Sequence, residues 1–208
     1  MKKCIIIGAG EFSAPKSINE GDLIIVADGG YDHAMAAGIA PHLFIGDMDS
    51  LTSDLPEELE KITFPERKDY TDMHLAYLEG KRRGYREFEI YGGTGGRGDH
   101  TFANISLLLA MSNEGCIGRM IASEGVYTVI KNESLTVSGK AGKYISVFAI
   151  GGKAEGVTIK GLDYEVENVT LTPDFPLGVS NKFTDKEALI SVKNGSLLVI
   201  YQTALSVT

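Results

Sequence analysis

Between Cys4 and Ser112, short apolar runs alternate with helical patterns, and that alternation restricts the fold more than any other property of the chain. Strand and helix in repeated succession call for a parallel sheet covered by helices. Cys4 to Ile7, Leu23 to Ala27, Leu43 to Ile45 and Glu87 to Tyr91 read as strands. Tyr31 to Ala37, Pro56 to Lys61, Asp72 to Arg83 and Thr101 to Ser112 read as helices, the last two with apolar residues at three- and four-residue spacing. Each strand ends in a loop rich in Gly and Asp, and in an open parallel sheet ligands gather at those carboxyl ends.

From about Ser134 the pattern changes to β-branched strands separated by Gly, Asn and Pro: Lys143 to Ile150, Gly156 to Lys160, Val169 to Thr172 and Ala188 to Gln202. In the last of these, Asn194-Gly195 lies between two apolar-rich runs, a two-residue hairpin signal. This half reads as a small sandwich or barrel. The expected architecture is α/β: a Rossmann-like parallel-sheet domain over 1–128, followed by a small all-β sandwich over 129–208. The link lies near Glu124 to Glu133.

With 208 residues and 43% hydrophobic content the chain can bury a substantial core. Ile105 to Met111 is too short to cross a bilayer, so no membrane span is expected. The apolar run after Met1-Lys2-Lys3 is broken by Glu11 with no cleavage site behind it, so a buried first strand is preferred to a signal peptide. Cys4 and Cys116 have neither metal spacing nor a disulfide-scaffold count, as expected of reduced cysteines in the cytoplasm. A net charge of −8 argues against a nucleic-acid binder. It also means that anionic phosphates would need metal ions and a few well-placed cations to approach.

Four segments carry chemistry. In Leu43-Phe44-Ile45-Gly46-Asp47-Met48-Asp49-Ser50 a strand runs into two carboxylates two residues apart. In an extended chain Asp47 and Asp49 would share a side and converge on a hard cation such as Mg²⁺. A polar turn capping the next element is the equal alternative. Lys68-Asp69-Tyr70-Thr71-Asp72 sets a cation beside carboxylates at a helix start, where Thr and Asp also serve as caps. In Gly92-Gly93-Thr94-Gly95-Gly96-Arg97-Gly98-Asp99-His100, five glycines in seven residues let the backbone approach a ligand. Arg97 adds a fork for phosphate oxygens, and His100 and Asn104 share a helix face. Asp28-Gly29-Gly30 closes the second strand as either a ligand contact or a cap. Gly8-Ala9-Gly10 imitates a dinucleotide fingerprint but lacks the third glycine, and the eleven residues between Gly10 and Asp22 leave little room for a crossover helix.

Taken in order, these four segments resemble the thiamine pyrophosphokinase family, and Lys160-Gly161-Leu162-Asp163-Tyr164 and Leu177-Gly178-Val179-Ser180-Asn181 are similar to its carboxy-terminal signature. The resemblance implies a nucleotide-binding catalytic domain over 1–128 and a thiamine-binding domain over 129–208. It implies a homodimer with active sites at the interface, and a reaction in which ATP and thiamine give AMP and thiamine diphosphate. By motif position, Asp47, Asp49 and Asp72 would hold Mg²⁺, with Asp69 close by. Asp28, Gly29, Lys68, Gly95, Gly96, Arg97, His100 and Asn104 would contact ATP, and Ser180 and Asn181 thiamine. Asp72 or Asp99 would take the proton of the attacking hydroxyl. The chain has no Trp to pack on thiamine where the family often has one, and Phe183 is the expected substitute. A strand followed by Asp-x-Asp also opens phosphohydrolases with an aspartyl nucleophile. A nucleotide or thiamine sensor without turnover is the non-enzymatic alternative.

Overall fold

The computed structural model describes residues 2–47, 54–64 and 69–203 and divides into two compact units. The first comprises residues 1–107 and 115–123, the second 108–114 and 124–208.

In the first unit the chain runs β1 (Cys4–Ile7), β2 (Leu23–Ala27), α1 (Gly30–Ala36), β3 (Leu43–Gly46), β4 (Glu60–Thr63), α2 (Asp72–Arg82), β5 (Glu87–Tyr91), the start of α3 (Gly98–Asn113) and β6 (Ile117–Ala122). All six strands are parallel, in the order β4-β3-β2-β1-β5-β6. The reason lies in the residues of β1, β2 and β3, which are apolar at every position and buried on both faces. Alternate side chains leave opposite sides of the sheet. Ile5 and Ile7 join Tyr31 and Ala34 of α1 in one cluster, whereas Cys4 and Phe88 lie against α2 at Gly80. There α2 approaches so closely that a Cβ on Gly80 would sit 2.8 Å from the Cys4 sulfur and 2.9 Å from the Phe88 ring. Tyr77 of α2 packs edge-on against Phe88 at 5.0 Å. Burial pushes the Cys4 thiol well above its ordinary range, which makes it an inert core residue.

Residues 8–22 join two parallel strands with no helix, as their short span predicts, whereas one expectation fails: the segment from Pro56 to Lys61 is a turn leading into β4 rather than a helix. Six residues cannot meet the cost of helix nucleation, and the edge of β3 offers Glu60–Thr63 a partner.

The second unit adds β7 (Gly125–Lys131), β8 (Ser134–Ser138), β9 (Tyr144–Lys160), β10 (Val166–Leu171), β11 (Gly178–Lys182), β12 (Glu187–Ser191) and β13 (Asn194–Tyr201), all joined by antiparallel pairing. The two strands expected from Lys143 to Ile150 and Gly156 to Lys160 are one, β9, which changes partners along its length. Its first part pairs with β11 and β13, its last part with β10 and β12. The change falls at Gly151, Gly152 and Gly156, all at positive φ, where a continuous strand can bend. Both groups of strands contribute to one core, with Val147, Val157, Ile190 and Val199 among its buried members. The Asn194-Gly195 signal is misread as a hairpin: β12 pairs with β8 and β9, β13 with β7 and β9. Gly195 N–H instead donates to Asn132 Oδ1 at 2.8 Å, and the turn carries the chain from one group of strands to the other.

Candidate active site

The strand order reverses beside β1: β2, β3 and β4 lie on one side, β5 and β6 on the other. Loops leaving β1 and β5 therefore diverge, which is where doubly wound sheets open a crevice. Here the two loops are first laced together. Gly8 N–H donates to Tyr91 O at 2.8 Å, Gly10 N–H to Gly92 O at 2.9 Å and Glu11 N–H to Thr94 O at 2.7 Å. Such proximity requires glycine: a Cβ on Gly10 would lie 2.7 Å from Gly92 O, and Gly92, at φ +66°, would drive its Cβ onto the Gly8 carbonyl. The Asn104 side chain, 7% exposed, reaches back from α3 and donates from Nδ2 to Gly93 O at 2.9 Å. The glycine loop is thus fixed from two sides before any ligand arrives.

Beyond this frame lies a cavity of about 580 Å³. Its walls are Gly8–Gly10 after β1, Ala27 and Asp28 at the end of β2, Asp69–Met73 at the start of α2, Gly92–Thr94 with Gly96 and Arg97 after β5, and His100, Thr101, Ala103 and Asn104 on the first turns of α3. Backbone amides and a helix N-terminus suit an anion, and the carboxylates Asp28, Asp69 and Asp72 suit a hard cation. Asp28 is unusual on two counts. It is a non-glycine residue at φ +52°, and its buried Oδ1 has no hydrogen-bond partner among the described residues. A second buried oxygen on the same wall, Thr94 Oγ1, is equally without a partner there. Each such group costs about 1–3 kcal/mol unless something in the cavity satisfies it.

Thr71, not Asp72, caps α2, its hydroxyl accepting from His74 N–H at 3.2 Å. Asp72 lines the cavity from the first turn of that helix. Arg97 grips Asp99 through Nη2 at 2.6 Å and Nε at 3.2 Å, with both side chains largely in solvent. This bond, with a further one from the His100 N–H at 3.0 Å, holds the Asp99 carboxyl below its usual range. An acid so held is a poor proton acceptor while Arg97 remains on it.

Of the residues expected at the site, Asp28, Asp69, Asp72, Gly96, Arg97, His100 and Asn104 line the cavity together. Gly29, Asp47, Gly95 and Asp99 are not part of its wall. Gly29 occupies the N-cap position of α1, and Gly95, at φ +78°, backs against Glu11. Asp47 follows the last residue of β3, one position beyond Gly46, whose missing side chain lets Asp28 come close. Asp49 and Lys68 lie outside the described residues. Among those described, no group of three or more His, Cys, Asp or Glu side chains is placed to hold a metal ion. Gly8, Ala9, Gly10, Tyr70 and Thr94 were not expected on the wall. Their signal was available: Gly8 follows β1 as Gly46 ends β3, at the edge where ligands gather.

In the second unit, Ser180 is exposed at φ +56°. Asn181, 4% exposed, spends its amide on the backbone: Oδ1 accepts from Tyr164 N–H at 3.0 Å and Lys182 N–H at 2.9 Å, and Nδ2 donates to Tyr164 O at 2.7 Å. Asn181 therefore clamps the turn that presents Tyr164, whose side chain is among the most exposed apolar groups at 76%. Phe183 is not a substitute for the missing tryptophan. It is 1% exposed, bridged to Leu162 and covered by Gly139, where a Cβ would sit 2.6 Å from its ring.

Comparison with known proteins follows the same division. Residues 14–117 match the model of the thiamin pyrophosphokinase catalytic domain, and residues 129–197 that of the thiamin pyrophosphokinase vitamin B1 binding domain. A thiamine pyrophosphokinase of Bacillus subtilis is 28% identical over 198 residues, 89% of each chain. Thiamin pyrophosphokinase 1 of Caenorhabditis elegans is 27% identical over 177 residues, 76% of this chain and 68% of that protein. The crystal structure of a Bacillus subtilis thiamine pyrophosphokinase superposes with a TM-score of 0.84 at 26% identity, covering 98% of this chain and 100% of the other. With both domain models matched in order, and with a glycine-framed, carboxylate-bearing cavity in the first, the chain belongs to the thiamin pyrophosphokinase family.

Proposed function

We propose that this protein is a transferase that moves a pyrophosphoryl group from Mg·ATP to the hydroxyl of thiamine, yielding thiamine diphosphate and AMP. The observation that carries the reading is the cavity at the β1/β5 divide, where the glycine loop, Arg97 and the α3 N-terminus share one wall system with Asp28, Asp69 and Asp72. Phosphoryl-group transfer asks a protein mainly to position reactants and neutralise charge, and this set does both. The thiamine hydroxyl attacks the β-phosphorus in line and AMP leaves. Arg97 leaves Asp99 to hold phosphate oxygens, and the loop amides and Gly96 bind beside it. His100, Asn104 and Lys68 complete the ATP contacts.

The cavity's acidic donors are all oxygen, and Asp28 has a buried oxygen without a partner among the described residues, so the wall fits Mg²⁺. We assign the ion to Asp47, Asp49 and Asp72; Asp28 and Asp69 add carboxylates to the cavity wall. When bound, it would offset the repulsion between ATP and a chain of net charge −8. Asp72 is the better candidate for the hydroxyl proton, because it lines the cavity and Asp99 is not part of its wall.

In fold terms we read the first unit as Rossmann-like and the second as a β-sandwich that binds thiamine. Ser180 contacts thiamine directly, and Asn181 acts through Tyr164. A homodimer with its active sites at the interface agrees with the exposed Tyr144, Tyr164, Phe175, Leu177 and Val179. The free, buried Cys4 and Cys116 suit the cytoplasm. No helix among the described residues is long and apolar enough to cross a membrane.

Incubation with ATP and Mg²⁺, with and without thiamine, tests the reading. Thiamine-dependent AMP and thiamine diphosphate are expected. Thiamine-independent phosphate release would instead make the protein a phosphohydrolase, and tight binding without AMP a sensor. Asp49→Asn is expected to abolish AMP formation while leaving thermal unfolding unchanged. Near-normal turnover of that variant would remove Asp49 from the metal site.

A further inference from the structure

We infer that Thr94 is a phosphate-binding residue, its hydroxyl donating to an oxygen of the ATP polyphosphate; this rests on the reading of the cavity as the Mg·ATP site. Thr94 is 4% exposed, lines the cavity, and its Oγ1 has no partner among the described residues. Three other polar side chains of the wall already have partners: Asn104 holds Gly93 O, Thr71 caps α2 and Arg97 is on Asp99. A buried hydroxyl is kept without a partner only where something else supplies one. Its backbone is also pinned, because Thr94 O accepts from Glu11 N–H at 2.7 Å while Gly10 N–H holds Gly92 O at 2.9 Å. The donor is thus preorganised, with little freedom to lose on binding.

The two orphaned oxygens on this wall differ in kind. Asp28, once ionised, can only accept, so it suits a cation or a ribose hydroxyl. Thr94 can donate, and it lines the cavity together with Gly93, Gly96 and Arg97 in the loop that leads into α3, whose amides and helix start favour an anion. The hydroxyl is therefore assigned to phosphate rather than to metal.

Thr94→Val and Thr94→Ser test this through thermal unfolding and calorimetric titration with Mg·ATP, Mg·tripolyphosphate and adenosine, all without thiamine. Valine keeps the shape and removes a hydroxyl that has no partner among the described residues. T94V is therefore expected to unfold at or above the wild-type temperature. It is expected to bind Mg·ATP and Mg·tripolyphosphate about tenfold or more weakly, with adenosine binding unchanged. T94S restores phosphate binding. A T94V protein that binds Mg·ATP like wild type overturns the proposal, as does one that unfolds at a lower temperature without ligand or loses adenosine to the same degree. Wild-type protein that binds neither Mg·ATP nor Mg·tripolyphosphate overturns the reading of the cavity itself.

Discussion

The glycines of the loop after β5 divide into two kinds, and single methyl groups separate them. Gly92 stands at φ +66° with its open side against the Gly8 carbonyl, so alanine there meets both backbone strain and backbone contact. Gly92→Ala is expected to cost about 2–4 kcal/mol, read as a clear fall in unfolding temperature. Gly96 lines the cavity, and a methyl group added there would meet nothing within 4 Å among the described residues. Gly96→Ala is therefore expected to unfold like wild type while weakening Mg·ATP binding; equal losses of stability in both variants would refute the division. The glycine run and Arg97 were legible in the sequence because their composition has few other uses. Gly8 and Gly10 are not, because they imitate a dinucleotide fingerprint, whereas what matters is that they follow a buried strand and approach the loop after β5. Asn181 illustrates a further limit. A Ser-Asn pair signals polarity, but whether an amide faces ligand or backbone depends on Tyr164, seventeen positions away.

At the scale of elements, α2 is held to the sheet by a contact on its buried side and a charge network on its outer side. Alanine at Gly80 would gain about 1 kcal/mol of helix propensity. It would also place a methyl 2.8 Å from the Cys4 sulfur and 2.9 Å from the Phe88 ring, so Gly80→Ala is expected to destabilise by about 1–3 kcal/mol net. On the outer side Glu79 accepts from Arg82 at 2.7 Å and from Arg83 at 2.7 Å, and Arg83 reaches Glu60. Arg82 first, and Arg83 with it, lower the Glu79 carboxyl from 4.5 to about 2, against the opposing effect of burial. The folded state thus binds this proton less readily than the unfolded chain. Its stabilisation is complete above pH 4.5 and is lost as pH falls toward 2. Glu79→Gln should therefore flatten the acid limb of the stability curve in that window, measured by denaturant unfolding at stepped pH. Three of the four expected helices form, as α1, α2 and α3, and the last two are long enough to show their period. The Pro56 to Lys61 segment was too short to show one, and the continuity of β9 and the separation of β12 from β13 depend on partners far away in sequence.

The whole molecule divides its chemistry as it divides its chain. Every residue on the cavity wall belongs to the first unit, and the features read as thiamine contacts, Ser180 and the Asn181-held Tyr164, belong to the second. The two family models fall on the same halves, residues 14–117 and 129–197. If ATP is bound by one half and thiamine chiefly recognised by the other, their binding energies are separable by mutation even though turnover needs both. Tyr164→Ala removes an exposed ring without touching the core, so it should leave unliganded stability within about 0.5 kcal/mol of wild type. Asn181→Ala leaves the Tyr164 N–H and carbonyl without their partners and should cost about 1–3 kcal/mol as well. Both variants are expected to raise the KM for thiamine while the unfolding-temperature shift produced by Mg·ATP remains that of wild type. Asp72→Asn should do the reverse, losing that shift. A Tyr164→Ala protein whose Mg·ATP shift collapses, or whose thiamine KM is unchanged, would show that recognition is not divided between the units in this way.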